Sequence, residues 1–227
     1  ELNLLENGFN IKTYQLAIGK KTHQTPEQES EIHLSEWNPS WYPPKYSYWA
    51  KDEQETPPGP DNPIGIAKLP LLDDILFHGT NDESSIGQAS SHGCLRMKNQ
   101  DITELAWFLQ SRYSQQSQNW WPSIYKKNLH RTYVVKLDQK IPVTLKYETA
   151  TIQNGKLKIY PDYYQKLTNK NTAAILAAFH KAKISLQSID AEKVEEVANN
   201  WQTKEIKLAD MMLTPDKPSL APAPECS

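Results

Sequence analysis

Cysteine and glycine are the scarce residues of this chain, with 2 Cys and 8 Gly in 227 residues. Two thiols, Cys94 and Cys226, cannot build a disulfide framework, and Cys226 lies in a tail rich in proline and alanine. A stapled miniprotein is therefore excluded. No apolar run approaches the ~18 residues that a membrane-spanning helix needs, and the mean hydropathy is -0.70. Cationic excess is missing too: 25 Lys+Arg stand against 27 Asp+Glu, a formal charge of -2. The chain thus lacks the field that draws proteins to nucleic acid or to anionic lipid. Its opening, ELNLLENGFN, has neither the cationic start nor the apolar core of a secretory signal. Chain length and an aromatic content of 10% suffice for a soluble globular fold with a sizeable core.

What is present is unevenly spread. Gly59, Gly65, Gly79, Gly87 and Gly93 fall in one stretch, half of the 16 prolines lie between Pro39 and Pro70, and six of the 7 tryptophans lie between Trp37 and Trp121, a span that overlaps that region. Many turns combined with large amphipathic side chains suit a walled pocket. Trp37, Trp41 and Trp49 are candidates for a wall facing glycan or peptide, or for core. The runs WNPSWYPP and TPPGPDNP sustain neither ladder nor helix, because proline lacks the donor and restricts its predecessor. They predict a long ordered loop or lid over residues 37–63.

Around that loop the patterning is mostly β. Tyr14, Leu16 and Ile18 alternate, residues 31–34 form a second short candidate, and residues 74–77 a third that runs into His78-Gly79-Thr80. Asp101 and Glu104 resemble a capping box ahead of a helix with Ile102, Leu105 and Leu109 on one face. Residues 132–137 and the alternation of Ile141, Val143, Leu145 and Tyr147 predict two further strands, and Asn154-Gly155 marks a hairpin. Beyond Tyr164 the period becomes helical, through Ile175 and Phe179 and then Val194, Val197 and Trp201. The expected organisation is a catalytic domain over residues 1–165, a helical extension over 166–213 and a disordered tail over 214–227.

The segment from His78-Gly79-Thr80 to Ser91-His92-Gly93-Cys94-Leu95-Arg96 carries the chemistry. A free thiol of pKa about 8.5 is only about 3% thiolate at pH 7, so a nucleophilic cysteine needs a base beside it. His92 would point away from Cys94 on an extended segment, whereas His78 can return across the intervening loop, which favours His78 as base. His92 is then structural or substrate-facing. Gly93 removes a side chain where the backbone must bend, and successive N–H groups of such a turn can converge on an oxyanion. Arg96 can hold a substrate carboxylate or form a salt bridge. As metal ligands, His78, His92 and Cys94 have an unusual spacing for zinc.

His-Gly-Thr followed by Ser-His-Gly-Cys-Leu-Arg closely resembles the signature of the YkuD-type L,D-transpeptidases, bacterial enzymes that remodel peptidoglycan. Residues 14–20 (YQLAIGK), 37–44 (WNPSWYPP), 58–65 (PGPDNPIG) and 141–164 also look like that family, particularly its Gram-negative periplasmic members. One departure stands out: the family's Thr-Pro-x-Gly turn becomes Thr25-Pro26-Glu27-Gln28 here, without the glycine.

The resemblance implies a mainly β, sandwich- or barrel-like catalytic domain with a helical C-terminal appendage. It implies Cys94 as nucleophile, His78 as base and the Gly79 carbonyl as the group orienting His78. Ser91, His92 and Gly93 complete the nucleophile loop, the N–H groups of His92, Gly93 and Cys94 form the oxyanion hole, and Arg96 lies near substrate. It further implies peptidoglycan stem peptides as substrate, an amine on a second stem or on an outer-membrane lipoprotein as acceptor, acylation by carbapenems, a periplasmic location, and no metal or organic cofactor. An L,D-carboxypeptidase, a lipoprotein-releasing hydrolase and a non-catalytic peptidoglycan-binding protein are the alternatives.

Overall fold

A computed structural model describes residues 1–71, 74–116, 125–167 and 170–214. Cys226 and nearly all of the expected disordered tail lie outside the described residues. The fold is mainly β and forms two compact units, which meet in sequence at Lys146 and Tyr147.

The first unit opens on a hairpin of β1 (Leu2–Glu6) and β2 (Phe9–Tyr14). Its turn is Asn7-Gly8, both with positive φ, the two-residue connection whose twist matches the paired strands. The short β3 (Ile18–Gly19) follows, then the long β4 (Gln28–Trp37). Along β4 the buried positions step through Ser30 and Ile32, then Ser35 and Trp37, because the register shifts between Ile32 and Leu34. That shift hides the full strand from a period-2 reading. After the proline-rich loop come β5 (Ala67–Pro70), β6 (Leu76–His78), β7 (Ala89–Ser91) and β8 (Leu95–Arg96). The single strand β9 (Tyr133–Leu145) spans both strands expected there.

One sheet has the order β8-β6-β5-β4-β9, while β3 and β7 pair separately in parallel. Helix α1 (Asn99–Tyr113) buries Ile102, Leu105 and Leu109 in a core with Leu69, Phe77, Leu95, Met97 and Val135. Each such fully buried side chain contributes about 1.5–3 kcal/mol. The helix starts at Asn99, earlier than the capping-box pattern indicated, and its N-cap Lys98 makes no side-chain cap bond. Trp37 belongs to this core: it is 1% exposed, donates through Nε1 to Gln110 Oε1 at 2.8 Å and stacks on Tyr125.

The second unit has its own core. Strands β10 (Ala150–Gln153) and β11 (Lys156–Ile159) form the Asn154-Gly155 hairpin, and β12 (Lys204–Lys207) pairs antiparallel with β11. Leu157 and Ile159 are buried with Ile175 and Phe179 of α2 (Asn171–Lys181) and Val194 and Val197 of α3 (Ala191–Asn199). Asp190 caps α3, accepting from the Glu192 and Lys193 N–H groups. The helical periodicities therefore face a three-stranded sheet, whose last strand has too little alternation to announce itself.

Candidate active site

β6 and β8 run parallel and adjacent, with Phe77 opposite Leu95 and His78 opposite Arg96. Phe77 and Leu95 are both core residues, so pleating sends His78 and Arg96 to the opposite face. Cys94 immediately precedes β8, one position before the paired segment. The sequence motif thus becomes two neighbouring strand ends.

His78 is 4% exposed, and its Nδ1 lies 2.5 Å from the Gly79 carbonyl oxygen. A carbonyl only accepts, so the proton sits on Nδ1 and Nε2 keeps its lone pair. Burial chiefly, with repulsion from Arg96 and Lys68, holds the ring's pKa down at about 4, although the Gly79 bond opposes this. His78 is therefore a neutral imidazole at pH 7.

Cys94 is a free, half-buried thiol. It donates weakly to the Asp74 carbonyl, with Sγ 3.6 Å from the oxygen. Burial pushes its pKa up and Asp74 adds to this, while a backbone bond from Leu76 and the charge of Arg96 oppose it. The resting pair is consequently thiol and imidazole, both uncharged.

Ser91 shapes the turn between them. Its hydroxyl accepts from the Gly93 N–H at 3.1 Å and donates to the Cys94 carbonyl at 2.6 Å. Gly93 has φ +118°, a conformation that side-chain-bearing residues rarely adopt. Ser91 thereby engages the Gly93 N–H, one of the three donors that the resemblance implies for an oxyanion hole. The N–H groups of His92 and Cys94 have no partner among the described residues. Thr25, at the glycine-less departure, holds the loop from outside: its hydroxyl accepts from the Gly19 N–H at 2.9 Å and donates to the Gly93 carbonyl at 2.8 Å.

His92 occupies a turn instead of an extended segment, and a set of residues that sequence reasoning did not join surrounds it. Trp49 stacks on its ring with centroids 3.8 Å apart and planes 9° from parallel. His23 meets it edge-on, and Lys20 Nζ lies 2.7 Å from Nε2. Of the three tryptophans considered for a wall, Trp37 went to the core, Trp41 forms a backbone bridge to Thr56, and Trp49 lies at the site.

Asn99 was also missed. Its Oδ1 accepts from the Ile66 N–H at 3.2 Å and its Nδ2 donates to the Thr80 carbonyl at 2.9 Å, tying the end of the proline-rich loop to the turn after His78. The packing is close enough that a Cβ on Gly79 would fall 2.2 Å from Asn99 Oδ1. Repeated Ser/Thr/Asn roles of this kind leave no periodicity in a sequence. Among the described residues no three of His, Cys, Asp and Glu converge as a metal site requires.

Residues 1–115 match the family model described as YkuD, L,D-transpeptidase catalytic domain. A putative L,D-transpeptidase YkuD of Bacillus licheniformis is 38% identical over 105 residues, 46% of this chain and 52% of that protein. The probable L,D-transpeptidase YbiS of Escherichia coli K12 is 34% identical over 94 residues, 38% of this chain and 31% of that protein. Escherichia coli ErfK/SrfK, a probable L,D-transpeptidase, is 29% identical over 102 residues, 42% of this chain and 33% of that protein. The chain thus spans about half the length of the Bacillus relative and about a third of the Escherichia ones.

Proposed function

The chain belongs to the YkuD family of L,D-transpeptidase catalytic domains, and from that premise we propose that it is a cysteine acyltransferase of the bacterial cell wall. Cys94 is the nucleophile, His78 the base, and the donor a peptidoglycan tetrapeptide stem ending in diaminopimelate–D-Ala. The observation that carries this reading is the Nδ1–H bond of His78 to the Gly79 carbonyl. It leaves a lone pair on Nε2 in a buried strand adjacent to the one that Cys94 immediately precedes.

Because thiol and imidazole are both neutral at rest, proton transfer accompanies attack. His78 Nε2 takes the Cys94 proton as sulfur adds to the diaminopimelate carbonyl, and the oxyanion is received by the N–H groups of His92 and Cys94. The imidazolium then gives its proton to the departing D-Ala nitrogen as the C–N bond breaks, leaving a thioester. An acceptor amine attacks that thioester and transfers its proton to His78, which passes it to the departing sulfur and restores the thiol. A diaminopimelate amine gives a 3-3 cross-link, a lipoprotein lysine gives anchoring, and water gives an L,D-carboxypeptidase; with a diaminopimelate–lysine amide as donor, the lysine amine leaves instead and water completes a lipoprotein-releasing hydrolase. The substrate puts the protein in the periplasm.

Incubation with a carbapenem followed by intact-mass spectrometry tests the nucleophile. The expected result is one stoichiometric adduct on the wild type and none on Cys94→Ala. An unmodified wild type, or an adduct on the variant, counts against the reading and favours a non-catalytic peptidoglycan-binding protein.

A further inference from the structure

Lys68, the other half-buried lysine among the described residues of the first unit, is matched to a carboxylate, Glu36, at 3.1 Å. Lys20 is not. Its ammonium, half-buried at the end of β3, is partnered among the described residues by the Nε2 of His92 alone. An ammonium only donates, so His92 accepts at Nε2 and carries its own proton on Nδ1, where no described residue takes it.

Arg96 adds a second cation. Its backbone is fixed by paired bonds to Ala17, but no described carboxylate meets its guanidinium. It pairs with His78 across β6 and β8, on the face opposite the core residues Phe77 and Leu95, and its charge is felt at His78, His92 and Cys94 alike. Lys20 is also locked to the nucleophile loop through its N–H bond to the Ser91 carbonyl at 2.9 Å. The nearest acid felt at the sulfur, Asp74, pairs with neither cation. Two uncompensated cations and a directed N–H donor therefore line one side of the nucleophile loop, with the Trp49 ring as a flat wall. Half-buried positive charge without a counter-ion is costly unless an anion completes it.

We propose that Lys20, His92 and Arg96 form a carboxylate-binding subsite that reads a carboxylate of the stem peptide, with Lys20 as its specificity-determining residue. This rests on the peptidoglycan reading of Cys94. The stem carries three free carboxylates, those of D-Glu, diaminopimelate and the terminal D-Ala, and any of them has the right chemistry. Charge-assisted bonds of this kind change affinity by roughly ten- to a hundredfold.

Calorimetric titration of the full chain carrying Cys94→Ala, which binds without turnover, tests the subsite. The ligands are the free tetrapeptide L-Ala-D-Glu-diaminopimelate-D-Ala and three derivatives, amidated in turn at D-Glu, at diaminopimelate and at D-Ala. Lys20→Met and Lys20→Gln are each expected to weaken the free peptide at least tenfold, and Lys20→Arg to keep it near the parent value. Amidating the carboxylate that is read should weaken the parent by the same factor and leave Lys20→Met unaffected, which identifies the carboxylate. The proposal is overturned if the uncharged variants bind the free peptide as tightly as the parent, or if the parent does not bind it. Binding that depends on Lys20, with no D-Ala released by the wild type, would leave the subsite standing and remove the transpeptidase reading.

Discussion

Trp49 lies flat on His92, their ring planes 9° from parallel, and so joins the proline-rich loop to the turn that leads into Cys94. An aromatic pair contributes about 0.5–1.5 kcal/mol beyond its buried area, enough to hold a loop but a small part of global stability. Trp49→Ala is expected to accelerate proteolytic cleavage within residues 42–53 severalfold and to lower D-Ala release, with global stability reduced by about 1 kcal/mol. Trp49→Phe should restore most of the protection. Equal cleavage of wild type and Trp49→Ala would show that the stack does not hold the loop.

His78 makes stability depend on pH in a definite direction. Its pKa is about 4 when folded against 6.5 for the ordinary side chain, so the unfolded chain binds the extra proton first. Its favourable contribution is complete above the unfolded pKa and is lost as pH falls from about 6.5 toward 4. At pH 5.5 the loss is about 1 kcal/mol, measurable by urea unfolding at pH 7 and pH 5.5. His78→Gln removes this part of the difference. An unchanged difference in that variant would contradict a neutral buried imidazole.

Alkylation of Cys94 by iodoacetamide reads the other half of the pair. Burial and Asp74 push the thiol up, so the rate should rise through a midpoint above the ordinary value of about 8.5. Asp74→Asn moves the midpoint down and Arg96→Gln moves it up, because the first removes a charge that opposes the thiolate and the second one that favours it. A wild-type midpoint near neutrality would mean a preformed thiolate–imidazolium pair.

Asn99 is a positioning residue whose bonds to Ile66 and Thr80 hold the turn that presents the Gly79 carbonyl. Asn99→Ala is expected to lower stability by about 1–3 kcal/mol and to reduce kcat more than it changes KM, since the donor's binding contacts remain. Gly79→Ala places a methyl against Asn99 Oδ1, and its effect should be smaller in the Asn99→Ala background. Additive effects in that double-mutant cycle would separate the two residues.

The candidate site was legible because it is local: His78-Gly79 and Ser91 to Arg96 are short words that carry their own spacing, and β6 and β8 bring them side by side. Helices α2 and α3 were legible through Phe179 and Val197, whose periodicity survives in the linear text. The long strand β4 was cut short because its bulge breaks the alternation, and Asn7-Gly8 carried the same hairpin dipeptide as Asn154-Gly155 without being read as one. Lys20, Thr25 and Asn99 were silent for a different reason. Each acts through one or two hydrogen bonds to residues far away in the chain, and polar contacts of that kind follow from strand pairing, not from any pattern around the residue itself. The shared N–H of Gly93 was likewise hidden until Ser91 was seen folded back on it.

Release of free D-Ala from a disaccharide-tetrapeptide, with the protein's intact mass followed in the same reaction, tests the account at its centre. The account predicts D-Ala release with a transient gain in mass equal to the disaccharide-tripeptide acyl group on wild-type protein, and neither with Cys94→Ala. D-Ala release that continues in Cys94→Ala would contradict it.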